Sequence, residues 1–205
     1  MAAVVACCQL IVDPTDAQFT DQTRSAGIEF QQTFGSQDKG FIVEAHGSGA
    51  GFLDHDGDGD VDLYIVNGST FDTYMEGSGA GNALYANRGN GTFREVAETL
   101  GVADAGWGSG VTAGDVDGDG TLDLYVTNFG ANILYMNNDA GPFTDATGDA
   151  EVGGGSTYST SAAFFDYDGD GDLDLYVANY LELDLATTRP RGCHYIGDIK
   201  VYCGP

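Results

Sequence analysis

The chain has 205 residues, enough for one domain with a real core. Its 32 acidic against 7 basic side chains give a net charge of −25, which argues against nucleic acid or an anionic membrane surface as partner, since both need clustered Lys and Arg. Disorder, the bland meaning of such acidity, is opposed by 42% apolar content with 11 Tyr and 11 Phe, and the 32 Gly suit short strands joined by tight turns.

Residues 1–12 are nearly all apolar, too short to span a membrane and without a basic leading region. They read as the tail of an export signal. Val4-Val5-Ala6-Cys7 also resembles a bacterial lipoprotein cleavage box, which would make Cys7 a lipid-anchored residue, although the upstream regions of such a signal are missing. Phe19-Thr-Asp-Gln-Thr echoes Phe143-Thr-Asp-Ala-Thr and is expected to be an orphan outer strand.

Next comes the first of three matching segments, Gly51-FLDHDGDGDVDLYIVN-Gly68; the others are Ala113-GDVDGDGTLDLYVTNF-Gly130 and Ala163-FFDYDGDGDLDLYVAN-Tyr180. A second element follows the first two of them, Ala83-LYANRGNGTFREVA and Ile133-LYMNNDAGPFTDAT. A Gly/Ser-rich insertion around 68–81 makes the first interval the longer. A period of roughly 40–60 residues with several short strands per repeat predicts β-propeller blades. Leu63-Tyr-Ile-Val66, Leu124-Tyr-Val126 and Leu175-Tyr-Val177 are apolar on both alternating faces, as strands covered on both sides would be. Thr92-x-x-Glu95 with Gly101 has the look of a helix start and stop, so a short helical turn is expected at 97–100. Cys193 and Cys203 flank a short loop and are expected to form a disulfide in an oxidising compartment. No C-x-x-C unit supports zinc.

The acidic loop reads Asp-x-Asp-Gly-Asp-Gly-x-x-Asp-Leu. Carboxylates fall at loop positions 1, 3, 5 and 9: Asp54, Asp56, Asp58, Asp62; Asp115, Asp117, Asp119, Asp123; Asp166, Asp168, Asp170, Asp174. Alternate spacing in a curled loop turns the side chains onto one centre, and Gly59, Gly120 and Gly171 permit the sharp turn. Position 7 varies as Asp60, Thr121 and Asp172, which fits a ligand supplied by the main-chain carbonyl. Hard oxygen donors in a flexible loop favour calcium, with about six to eight oxygens, over the stricter octahedron of magnesium. No Lys or Arg lies within 52–66, 108–128 or 158–180 to neutralise the carboxylates, so three calcium sites are expected. An EF-hand would need Glu at position 12 and flanking helices; Ile65, Val126 and Val177 stand there, in strand-like runs.

These repeats resemble the FG-GAP/VCBS type of integrin α-subunit propellers. More closely, they resemble bacterial exported proteins related to cartilage acidic protein, the ASPIC/UnbV group. Phe19-Thr-Asp, Ala26-Gly-Ile, the three loops, Leu84-Tyr-x-Asn87 and Val201-Tyr-Cys-Gly-Pro205 carry the likeness over most of 19–205. It implies a seven-bladed propeller with calcium loops between the first two strands of a blade, and the same aspartates as ligands. With three loops the chain is expected to be a partial, all-β propeller of four-stranded antiparallel blades. Blade 1 is expected over about 45–97, blade 2 over about 108–147, and an incomplete blade 3 from about 158.

Catalytic signals are weak. No phosphate loop, dinucleotide loop or nucleophile elbow occurs. His55 is expected to point outward from its loop, and His46 and His194 to be surface or packing residues. Trp107 and the tyrosines could line a sugar site, but packing is the better expectation. The reading is therefore an exported, calcium-stabilised propeller module that binds a protein or mediates adhesion and is not an enzyme. A calcium-dependent lectin and a non-catalytic scaffold of a larger enzyme are the alternatives.

Overall fold

The computed structural model describes residues 19–37, 40–139, 141–185, 187, 195–196 and 199–200. Cys7, the two other cysteines of the expected disulfide and His194 lie outside them. The fold is all-β, built on antiparallel four-stranded sheets. In the first sheet, β1 (Ala50–Leu53), β2 (Asp62–Ile65), β3 (Ala83–Asn87) and β4 (Phe93–Glu95) form a meander in chain order. The second repeats that order with β5 (Trp107–Gly114), β6 (Asp123–Phe129), β7 (Ile133–Met136) and β8 (Thr144–Asp145). A long hairpin follows, β9 (Thr157–Phe165) with β10 (Asp174–Glu182), and touches the second sheet through the single pair Phe129–Tyr158. A short backbone hairpin pairs Tyr195–Ile196 with Ile199–Lys200.

The first strands of the three units, β1, β5 and β9, lie side by side. Glycine permits the approach: a Cβ on Gly51 would stand 2.9 Å from Val111 Cγ1, and one on Gly110 would stand 3.0 Å from the Thr160 carbonyl. One core fills the space between the first two sheets, with Leu53, Tyr64, Val66 and Leu84 meeting Leu124, Val126, Tyr135 and Phe143. A second joins the sheet ends through Val43, Trp107, Phe129 and Tyr158. The 68–81 insertion contributes to it. Its helix α1 (Phe71–Glu76) is capped by the Thr70 hydroxyl, which accepts from Thr73 N, and carries Tyr74 against Trp107 and Phe129.

The short helix α2 is Ala97–Leu100, ended by Gly101 at φ 74°. Its cap differs from the expected box. Val96 stands at the N-cap, and it is Glu95 Oε1 that accepts from Ala97 N at 2.8 Å; Thr92 bonds Asn90 in the preceding turn instead. The expected strand at Phe19-Thr-Asp-Gln-Thr is not formed. Phe19 is fully exposed, residues 23–27 form a turn, and a single bond from Phe93 N to the Ala26 carbonyl (2.8 Å) ties the segment to β4. The sequence echo carried no apolar partner to bury, so no ladder follows from it.

Two-sided burial of the second strands depends on a neighbouring sheet. Tyr64 and Tyr125 are fully buried, whereas their counterpart Tyr176 is 62% exposed. The Tyr64 hydroxyl donates to the Val102 carbonyl (2.7 Å) and accepts from Asn82 Nδ2 (3.0 Å); Tyr125 does the same with Val152 (2.6 Å) and Asn132 (3.0 Å). Tyr64→Phe strands both partners and should cost about 1–3 kcal/mol in chemical denaturation. Tyr176→Phe should stay within about 0.5 kcal/mol. Equal costs would show that the hydroxyl bonds do not lock one sheet to the next.

Asp104 sits beside these tyrosines, and burial pushes its carboxyl above the ordinary carboxylate range. The amide of Gly106 and the side chain of Asn128, which donates to Asp104 Oδ2 at 3.2 Å, pull the other way. A raised folded-state value means that the folded chain holds this proton more tightly than the unfolded chain does. Stability from this group is therefore present at low pH and lost as pH rises through the folded value. Asp104→Asn should gain on the wild type as pH is raised from about 3 to 7. A stability difference that does not vary with pH would remove Asp104 as its source.

Candidate cation-binding loops

Each acidic loop joins the first two strands of its unit, and its last Asp opens the second strand. The closing strand pairs correspond: Leu53 with Asp62, Gly114 with Asp123, Phe165 with Asp174. Position 6 glycines take φ of 88°, 94° and 97°, as the sharp turn requires. Position 4 glycines are left-handed too, at 70°, 74° and 80° for Gly57, Gly118 and Gly169, a second requirement that sequence reasoning passed over.

A shared hydrogen-bond frame holds the three loops. At position 1, Oδ2 of Asp54, Asp115 and Asp166 accepts from the position 6 glycine at 3.0, 3.0 and 3.1 Å. At position 9, Oδ2 of Asp62, Asp123 and Asp174 accepts from the position 2 amide at 2.8, 2.8 and 2.7 Å. At position 5, Oδ1 of Asp58, Asp119 and Asp170 accepts from the position 7 amide at 2.8, 2.8 and 3.0 Å.

The frame leaves carboxylate oxygens converging. Ligand atoms of Asp54, Asp56 and Asp58 lie within 4.8 Å of one another, as do those of Asp115, Asp117 and Asp123, and of Asp166, Asp168 and Asp174. Asp119 and Asp170 fall outside these tight groups, although Asp58, which accepts the same position 7 bond, lies inside its own; Asp62 groups instead with His55 and Asp56. Asp60, Thr121 and Asp172 fall outside as well. The Asp60 carboxylate packs over Gly89, and the Thr121 hydroxyl donates to Asp119 Oδ1 at 2.6 Å. That hydroxyl and the Thr121 amide hold the Asp119 carboxyl below the ordinary range.

His55 is not outward. It is 8% exposed, and its Nδ1 lies 2.5 Å from Asp62 Oδ2, so that a ring nitrogen groups with Asp56 and Asp62. A position 2 side chain in an isolated loop faces solvent; here the ring folds back onto Asp62 of its own loop, and the His55 carbonyl accepts from Asn137 at the end of β7. His46 is exposed and packs its ring against Tyr158 and Tyr180.

Asn87 and Asn137, at the ends of β3 and β7, were not anticipated as parts of the loops. Each donates its backbone N–H to Oδ1 of the position 9 carboxylate, Asp62 at 2.7 Å and Asp123 at 2.8 Å. Their recurrence in Leu-Tyr-x-Asn was the available signal. Burial pushes the Asp123 carboxyl up, the Asn137 and Val116 amides oppose this, and the charges of Asp117 and Asp119 push it up further.

Two oxygens carry the electrostatic argument. Asp54 Oδ1 and Asp115 Oδ1 are buried and have no hydrogen-bond partner. A buried carboxylate oxygen without a partner carries a full desolvation cost. A hard cation held by the surrounding carboxylates relieves it, so these residues fit calcium.

A family model described as an FG-GAP-like repeat matches residues 54–126 and again 115–177. The chain belongs to the FG-GAP-like repeat family. Each FG-GAP-like match starts on one acidic loop and ends within the strand that follows the next loop, so the two matches overlap on the second loop and the start of β6. The chain is also similar to cartilage acidic protein 1 of Homo sapiens and of Mus musculus, each 28% identical over 137 residues, covering 62% of this chain and 20% of the relative. The Xenopus tropicalis protein of that name is 34% identical over 74 residues, covering 35% of this chain and 11% of the relative. The chain thus spans about a fifth of the length of the mammalian relatives.

Proposed function

We propose that this chain is a calcium-binding module of an exported FG-GAP β-propeller that presents surface loops to a protein ligand, without catalysis of its own. The observation that carries the calcium reading is the pair of buried, unpartnered oxygens of Asp54 and Asp115, each inside a converging group of carboxylates. The ligands would be the side chains at positions 1, 3, 5 and 9 with the carbonyl at position 7, in three sites. Bound calcium supplies the missing counter-charge and fixes the turn between two strands. The variable loops elsewhere are then free to carry recognition.

Export is supported by the apolar start of the chain and by the family resemblance. Among the described residues no helix is long and apolar enough to cross a membrane. For the lectin alternative, Trp107 is 1% exposed and packed in the core, so it offers no sugar platform.

A position series tests the site. Asp117→Ala should abolish calcium binding at the second loop. Asp172→Thr should leave the third nearly unchanged, because Thr121 already stands at that position and the frame uses the amide there. Titration calorimetry with calcium reads both. Equal losses would make position 7 a side-chain ligand.

A further inference from the structure

Asn137 is 4% exposed and stands between the first two acidic loops. Its side-chain Nδ2 donates to two carbonyls, Leu122 in the second loop at 3.2 Å and His55 in the first at 2.8 Å. Its backbone N–H holds Asp123 Oδ1 at 2.8 Å, and its own Oδ1 accepts from Asp139 N at 3.2 Å. His55 is an apt end for the bridge. It lies between Asp54 and Asp56, and both its N–H (2.8 Å) and its ring Nδ1 (2.5 Å) contact Asp62 Oδ2. The position of its carbonyl is therefore set by closure of the first loop. Asn87, the counterpart one sheet earlier, holds only its own loop, through Asp62 Oδ1 (2.7 Å) and the Val61 carbonyl (2.9 Å). Among the described residues none donates to the Val116 carbonyl, and none ties the second loop to the third in this way.

We propose that Asn137 couples the first two loops, so that calcium in one raises the affinity of the other, while the third loop fills independently. The inference rests on the calcium reading above. An empty loop holds several carboxylates that repel one another, so keeping it in its closed frame costs free energy that a bound cation offsets. Ordering either loop fixes one end of the Asn137 bridge. The second ion then meets a partner already in place and pays less of the ordering cost, which is positive coupling without a change of fold. Reciprocity requires the same factor in both directions.

Calcium alone is the probe, titrated calorimetrically into the full chain. Asp168→Ala removes the third site and leaves the coupled pair. Adding Asp117→Ala isolates the first loop, and adding Asp56→Ala isolates the second. The pair should bind at least about fivefold more tightly than the two isolated sites predict. Asn137→Ala in the Asp168→Ala background should bring the pair back to independent binding, with circular dichroism confirming the fold. The comparison of pair with isolated sites stands without the Asn137 variant, should that variant fail to fold. Independent binding in Asp168→Ala overturns the coupling. Coupling that survives Asn137→Ala overturns the role of this residue. Absence of binding in the wild type as well as in every isolated loop overturns the calcium reading itself, and the inference with it.

Discussion

Calcium at millimolar concentration should raise the melting temperature of this chain by on the order of 10–20 °C over the same protein in chelator. A ligand that binds only the folded form adds RT ln(1 + [L]/Kd), about 2.7 kcal/mol per site at a hundredfold excess over Kd. For a chain of this size each kcal/mol moves the midpoint by about 2–4 °C. The first two loops should supply most of the shift, because their position 1 oxygens are buried and unpartnered. The aspartates of the third loop are all exposed, and water already solvates them. Asp117→Ala should therefore remove more of the calcium-dependent shift than Asp168→Ala. Scanning fluorimetry across a calcium series measures both. An unchanged midpoint in the wild type would sink the metal assignment.

The aspartates were legible because alternate spacing with glycine is a local code, and a local code needs no knowledge of neighbours. The meander was legible in the same way, from a repeat of strand and turn signals. Long-range contacts were not. The His55 carbonyl finds its partner 82 residues on at Asn137, and no window around Asp54 contains that. The recurrence of Leu-Tyr-x-Asn marks Asn137, but its bond to the first loop shows only once β7 is placed beside the second. Phe19-Thr-Asp-Gln-Thr erred in the opposite direction. There the letters matched an outer strand, yet Phe143 is buried against the first core while Phe19 touches none. Strand formation followed the burial, not the echo.

The chain should self-associate through the open face of the β9–β10 hairpin. Phe165, Tyr167, Tyr176 and Tyr180 are 42%, 79%, 62% and 44% exposed on it, where Tyr64 and Tyr125 in the preceding units are fully buried. Among the described residues β10 is also the last strand of its sheet, nine residues long, so its outer edge offers a row of backbone groups to another strand. An apolar face beside an unpaired edge is a docking surface for a second copy. The opposing force is the net charge of −25, which repels like chains. Salt shortens that repulsion, to about 8 Å at physiological ionic strength, but leaves apolar contact intact. Calcium in the loops lowers the charge further. Association should therefore strengthen with salt and with calcium, the reverse of an electrostatic contact. Light-scattering mass measurement at several protein concentrations reads it. Tyr176→Lys, a charge placed in the centre of the edge strand, should shift the population towards monomer without lowering the melting temperature, since Tyr176 buries little in the chain itself. A monodisperse monomer of the wild type in salt and calcium, at concentrations up to tens of micromolar, would show that this face is satisfied as it stands.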